Sequence, residues 1–326
     1  MAERPRHIPE LDGLRAVAAL MVLALHTGLT PGGSTGVDVF FVLSGWLITG
    51  ILAREIDRTG AVDWIAFIAR RVRRLWPALL AMLAFCLAIW PRAWADAIAA
   101  AAYIADFTVL AGPNSGPFAP AWTLAVEWQF YLVWPLFLLV ALRLGRSRAA
   151  AIMVAAWAVL GLVRAPLLLS GPGFAADLAY YSPLHASGLL LGAALALRPV
   201  RAPAWAGWIG LLVTAATLAI PHAGDAWSIP LAELSAALVV AAPPRALAFP
   251  PLVRLGEISY GVYLWQIPAW LLLRAALPPP ASGLATILLA IAAAALSWRY
   301  VERPFMRRGR NYPVNLARTG CSDGAA

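Results

Sequence analysis

An arginine and a histidine stand eleven residues apart in the first apolar run of the chain. Arg15 lies near one end of residues 12–29 and His26 near the other. Eleven residues of α-helix rise about 16 Å and turn about three times, which puts both side chains on one face. A charge in a lipid-facing helix costs at least about 2.5 kcal/mol, so that face is expected to border a polar cavity. A neutral imidazole there can take a proton from a hydroxyl. The plainer role for His26 is a hydrogen bond between helices. Two carboxylates stand in nearby apolar runs. Asp38 opens the second run, and Glu127 lies in WTLAVEWQFYLVWP (122–135). Thr123, Glu127 and Tyr131 share a helix face at i, i+4 and i+8. Either acid could bond one imidazole nitrogen of His26, fixing the tautomer and raising basicity at the other. Each could equally hold the bundle together.

The second chemical group is basic. Arg70, Arg71, Arg73 and Arg74 come just before Trp76 and Pro77. At helical spacing Arg71 and Arg74 lie one turn apart, as do Arg70 and Arg74. Guanidinium forks suit phosphate oxygens. Arg15 is expected to extend this positive surface inward. A cluster that only marks the cytoplasmic side of a membrane is the competing explanation.

The elements carrying these residues must be membrane helices. The chain has 326 residues, of which 62% are hydrophobic and 13% charged, against about 25% charged in an average soluble domain. Apolar runs recur from Leu14 to Leu296. The fold class is therefore expected to be all-α, a polytopic membrane bundle of about ten crossings. The spans that fit are 12–29, 36–53, 75–91, 122–142, 149–165, 183–197, 205–220, 229–243, 255–275 and 283–299. Segment 94–111 is expected to re-enter or lie at the interface. Residues 63–75 have apolar positions at helical spacing among arginines and read as an amphipathic helix in the membrane plane. The first run reads as a retained helix rather than a cleaved leader. Residues 1–306 form the expected membrane domain, and 307–326 a polar, disordered tail.

The net charge is +9 and every one of the 25 basic residues is arginine. These arginines cluster in short loops between apolar runs, which argues for cytoplasmic loops and against nucleic acid. Arg4 and Arg6 join them, so both termini are placed in the cytoplasm. The run from Arg303 to Arg310 can also touch anionic lipid. The two cysteines, Cys86 and Cys321, imply no disulfide framework, and zinc-type ligand spacing is absent. No metal is expected.

The motifs together resemble the acyltransferase-3 family of bacterial membrane O-acyltransferases. Arg15, ten residues and His26 match its Arg-x10-His signature within LDGLRAVAAL. The block GVDVFFVLSG (36–45) follows. RRVRRLWP (70–77) matches R-R-x-x-R-(I/L)-x-P through Arg70, Arg71, Arg74 and Pro77. WTLAVEWQFYLVWP matches W-(S/T)-L-x-x-E-x-x-F-Y, and ISYGVYLWQ (258–266) and YVERP (300–304) match weaker blocks. The motifs occur in the family's order and span residues 10–305. Gln266 departs from it: relatives commonly have histidine there, and glutamine cannot accept a proton near neutral pH.

The resemblance implies transfer of an acyl group, usually acetyl, from a cytoplasmic acyl-CoA to a hydroxyl of a sugar or glycoconjugate. It implies a bacterial cytoplasmic membrane protein that modifies envelope polysaccharide. No cofactor is expected to be permanently bound, and no fused extracytoplasmic domain is expected. His26, Glu127 and Asp38 are the expected catalytic residues. Arg15, Arg70, Arg71, Arg73 and Arg74 are the expected binders of acetyl-CoA. Membrane lipid is the remaining expected partner. A transporter or flippase for a glycan or lipid-linked substrate is the alternative. Broken helices would suit it, but no related halves are evident.

Overall fold

A computed structural model of the chain describes residues 7–110, 116–181, 183–221 and 225–308. Arg4, Arg6, residues 111–115 and residues 309–326 of the expected disordered tail lie outside the described residues. The described residues are helical, with no strand among them.

The helices are α1 (Pro9–His26), α2 (Gly36–Thr59), α3 (Trp64–Ile89), α4 (Trp94–Ala101), α5 (Ala105–Leu110), α6 (Ala121–Leu142), α7 (Arg146–Leu169), α8 (Phe174–Tyr181) and α9 (Ser187–Leu197). There follow α10 (Ala204–Ala216), α11 (Asp225–Ala241), α12 (Pro250–Glu257), α13 (Ser259–Leu273), α14 (Ala281–Ser297) and α15 (Arg303–Arg308). A π-helical turn at Trp298–Glu302 joins the last two.

Five of these are long and apolar enough to cross a membrane: α2, α3, α6, α7 and the run Ala281–Met306. The other five expected spans fall on shorter or more polar helices. α1 has 18 residues but carries Glu10, Asp12 and Arg15 in its first two turns. α9, α10, α11 and α13 have 11, 13, 17 and 15 residues. Eleven residues rise about 17 Å, short of a hydrocarbon core about 30 Å thick. Five of the ten expected spans thus meet the length and composition of a membrane crossing by themselves. α4 and α5, with 8 and 6 residues, are too short to cross.

The amphipathic segment at 63–75 is not a separate helix. It is the first half of α3, a single helix of 26 residues with Pro77 inside it. Asp63 caps its start by accepting from the Ala66 amide at 2.9 Å. The arginines and the apolar span that follows are therefore rigidly joined.

Polarity is distributed as a hydrocarbon solvent requires. Leu162, Leu212 and Leu288 are more than 70% exposed, while Asp38, Arg164, His185 and Glu233 are at most 1% exposed. Charges face inward and large apolar side chains face out. Small residues let the helices approach closely. α2 crosses α9 so tightly that a Cβ on Gly45 would stand 2.0 Å from the Leu189 carbonyl oxygen. A Cβ on Gly192 would stand 2.0 Å from that of Val42. This crossing fixes the start of α2, which forms one wall of the cavity described next.

Candidate active site

Helices α1, α2, α3, α6 and α13 enclose a cavity of about 100 Å³. Its charged lining is Arg15 from α1, Arg71 and Arg74 from α3, and Glu127 from α6. Hydroxyls of Ser44, Thr123, Tyr131, Ser259, Tyr260 and Tyr263 complete the polar surface. Each element delivers its groups through helical spacing. Arg71 and Arg74 are three residues apart, and Thr123, Glu127 and Tyr131 follow at steps of four.

The cluster at 70–74 divides. Arg71 and Arg74 line the cavity, whereas Arg70 and Arg73 do not. Arg70 is half exposed and stands 3.8 Å from Glu55. A rotation of about 100° per residue carries it off the face that Arg71 and Arg74 share. The Arg71 guanidinium packs over the rings of Phe67 and Tyr131, 5.6 Å from each centroid. Its buried Nε has no hydrogen-bond partner. A buried, unsatisfied donor costs about 1–3 kcal/mol, so this position favours an incoming acceptor. Arg15 is anchored by Asp12, at 3.4 Å.

Glu127 is the anionic centre of the cavity. Its Oε1 accepts from Ser44 Oγ and from Tyr131 Oη. Arg15, Arg71 and Arg74 all act on the electrostatics of this corner together with Glu127 and Tyr131. Toward the start of α6, the hydroxyls of Thr123 and Tyr263 are 2.7 Å apart. Both lie 3.1 Å from the Pro120 carbonyl oxygen. Tyr260 Oη donates to the Leu75 carbonyl at 2.9 Å, tying α13 to α3.

The three expected catalytic residues are not brought together. His26 Nδ1 lies 3.3 Å from Gln266 Oε1, at the far end of α1 from Arg15. Asp38 Oδ1 accepts from His185 Nε2 at 2.9 Å, and His185 Nδ1 donates to the Tyr180 carbonyl at 2.7 Å. The structure thus gives both carboxylates partners other than His26. Asp38 lies where α2 meets the segment leading into α9, and His185 of that segment reaches it.

Sequence reasoning missed several groups. Ser44 sits inside an apolar block, and its isolation there was a usable signal. His185, Arg164 and Glu233 were also passed over. Ser187 Oγ donates to Glu233 Oε1 at 2.5 Å, Trp157 Nε1 donates to Oε2 at 2.7 Å, and Arg164 stands 3.9 Å from it. This buried network welds α7, α9 and α11.

Chemically, three guanidiniums and one hydrogen-bonded carboxylate make a site for a polyanion. A cavity of about 100 Å³ is smaller than the ~300–1,000 Å³ of a site that encloses a drug-sized ligand. It suits one segment of such a ligand. The family model described as "Acyltransferase domain", of the acyltransferase-3 family, matches residues 8–300. The chain belongs to this family. It is 31% identical to the peptidoglycan O-acetyltransferase OatA of Listeria monocytogenes over 93% of its length. It is 29% identical to the O-acetyltransferase OatA of Staphylococcus aureus over 94%. The match covers 56% and 58% of those relatives, so the chain spans little more than half of their length. No solved structure matches the chain significantly. Five of the six motif blocks that carry the resemblance supply residues to the cavity lining; YVERP does not.

Proposed function

We propose that the protein is an O-acetyltransferase of the bacterial cytoplasmic membrane that moves an acetyl group from acetyl-CoA to a sugar hydroxyl of an envelope glycan. The observation that carries the reading is the convergence of Arg15, Arg71 and Arg74 on one cavity with Glu127. Arg71 and Arg74 bind donor phosphate, with Arg15 behind them. Arg70 and Arg73 sit on the same helix and enlarge the positive field that draws the donor in. We place this end of the bundle, with both termini, on the cytoplasmic side, where acyl-CoA is made.

His26 is the general base. It takes the acceptor hydroxyl proton as the new C–O bond forms and the thioester C–S bond breaks, and the proton passes on to the departing thiolate. Glu127 keeps Tyr131 and Ser44 oriented at the cavity wall. Asp38, through His185, holds the start of α2. The acceptor class follows the Listeria monocytogenes relative, which is named a peptidoglycan O-acetyltransferase.

The experiment uses the purified full chain in proteoliposomes with acetyl-CoA and a soluble peptidoglycan fragment. Free thiol release that depends on the fragment, with a mass gain of one acetyl group on it, is expected. Movement of the fragment across the bilayer without thiol release would instead make the protein a transporter.

A further inference from the structure

We infer that the protein binds an anionic phospholipid of the surrounding bilayer, with one acyl chain in a groove between α3, α13 and α14 and the phosphate on Arg299 and Arg303. The inference goes beyond the transfer reaction proposed above and stands without it. The groove measures about 400 Å³. Ala81 and Phe85 of α3, Trp265 and Leu272 of α13, and Leu289 and Leu296 of α14 form its walls. Among the described residues that line it, none is charged. The hydroxyl of Ser297 is turned to Glu302, to which it donates at 3.1 Å. An apolar space of this kind stays dry and takes up hydrocarbon. Leu296 and Tyr300 in its walls are 58% and 67% exposed, so it opens on the flank of the bundle.

Length and depth fit a lipid chain. α3 and the run Ala281–Met306 are two of the segments able to cross a membrane, which sets the groove between them at hydrocarbon depth. From Leu289 to Val301 it follows twelve residues, about 18 Å of helix. Half of a hydrocarbon core about 30 Å thick is about 15 Å. A chain lying along the groove thus runs through one leaflet, and its headgroup emerges at the Val301 end.

That end is where the positive charge stands. The Arg299 guanidinium lies 5.7 Å from the centroid of the Tyr300 ring, and Tyr300 is itself a wall of the groove. Arg303 follows one turn later, and both arginines are exposed. Among the described residues neither forms an ion pair. Two guanidiniums beside an interfacial tyrosine suit a lipid phosphate. An orientation signal needs no groove beside it, and a lipid-facing groove needs no charge; their meeting at Tyr300 points to a phospholipid. The chain's own residues 309–326 suit the groove poorly, because Val314 and Leu316 are their only large aliphatic side chains. α3 is one helix from Ala81 and Phe85 back to Arg71 and Arg74. A lipid chain packed on its apolar half therefore braces the half that carries those arginines.

The test is native mass spectrometry of the purified full chain in mild detergent, with phosphatidylglycerol or phosphatidylcholine added at equal concentration. Wild type is compared with Ala293→Trp and Leu296→Trp, which fill the groove, and with the double variant Arg299→Gln, Arg303→Gln. Leu288→Trp, on an exposed face of α14 outside the groove, and a chain ending at Arg308 are the controls. One arginine beside an anionic lipid is worth about fivefold, so wild type should prefer phosphatidylglycerol by roughly 25-fold. The double glutamine variant should bind the two lipids about equally. Each groove variant should lower lipid occupancy by about tenfold or more, since every methylene kept out of an apolar site costs affinity, while Leu288→Trp stays within about twofold of wild type. Phosphatidylglycerol should raise the thermal midpoint of wild type and of Leu288→Trp, and not that of the groove variants. Equal occupancy in wild type and both groove variants overturns the site. An undiminished preference in the double variant overturns the phosphate contact. Tighter lipid binding by the chain ending at Arg308 would make residues 309–326 the occupant, and a dimer that the groove variants dissociate would make it a second copy; either result overturns the inference.

Discussion

Arg71→Ala separates donor binding from topology. The guanidinium is held by two aromatic rings and presents a buried Nε without a partner. Removing it deletes a charge-assisted contact to phosphate worth about 1.5–3 kcal/mol. At 1.4 kcal/mol per decade, that weakens acetyl-CoA binding by about 10- to 150-fold. Arg71→Lys keeps the charge but loses the planar fork and the guanidinium's packing on the rings. A cation–π contact is worth about 0.5–1 kcal/mol, so lysine should recover only part of the affinity. The assay is calorimetric titration of acetyl-CoA into detergent-solubilised protein, with kcat measured at saturating donor. The expected signature is a raised Kd with kcat reduced much less. Unchanged affinity in both Arg71→Ala and Arg74→Ala would refute the reasoning and leave the cluster as a signal for membrane orientation alone.

His26→Ala should cost about 10² to 10⁴ in turnover while donor affinity is kept, as read by single-turnover transfer from labelled acetyl-CoA. Glu127→Gln retains a carbonyl oxygen for both Ser44 and Tyr131, whose hydroxyls converge on Oε1, but removes the negative charge. Turnover should fall while acetyl-CoA binds at least as tightly as to wild type; a raised Kd would show that Glu127 supports the donor site. Gly192→Ala puts a Cβ 2.0 Å from the Val42 carbonyl oxygen and forces α2 and α9 apart. It should destabilise the protein by about 1–3 kcal/mol, visible as a lower thermal midpoint in detergent.

The membrane character and the five long spans were legible because they are properties of composition and run length. α2, α3, α6, α7 and the Ala281–Met306 run each satisfy them. The continuity of α3 was not legible. Arginines among apolar residues at 63–75 look like an interfacial helix, and Pro77 looks like a boundary. A proline inside a packed bundle need not end a helix, because neighbouring groups can satisfy the backbone it frees. Of the other expected spans, α1 has the length but carries Glu10, Asp12 and Arg15, and α9, α10, α11 and α13 are shorter helices than the runs suggested. Hydrophobic runs do not report where short turns and prolines cut a helix, and α9 shows this: fifteen expected residues became an eleven-residue helix preceded by a 3₁₀ turn.

The contents of the cavity were legible wherever spacing along one helix decides which side chains share a face. Arg71 with Arg74, and Thr123 with Glu127 and Tyr131, follow from periodicity alone. Partners across helices were not legible, because they depend on crossings set by residues such as Gly45 and Gly192. Asp38 illustrates the point. From sequence it stands twelve residues from His26 and could belong to it. In the structure His185 intervenes from 147 residues away. The Tyr180 carbonyl faces its Nδ1, so that nitrogen must carry a hydrogen. Its Nε2 then meets Asp38 across a bond that also needs a proton. Asp38 Oδ1 is committed to that bond, inside a region at most 2% exposed, while Oδ2 is buried without a hydrogen-bond partner. Freeing Asp38 for His26 would leave a buried imidazole without its acceptor, a loss of several kcal/mol when one partner of a buried pair is removed.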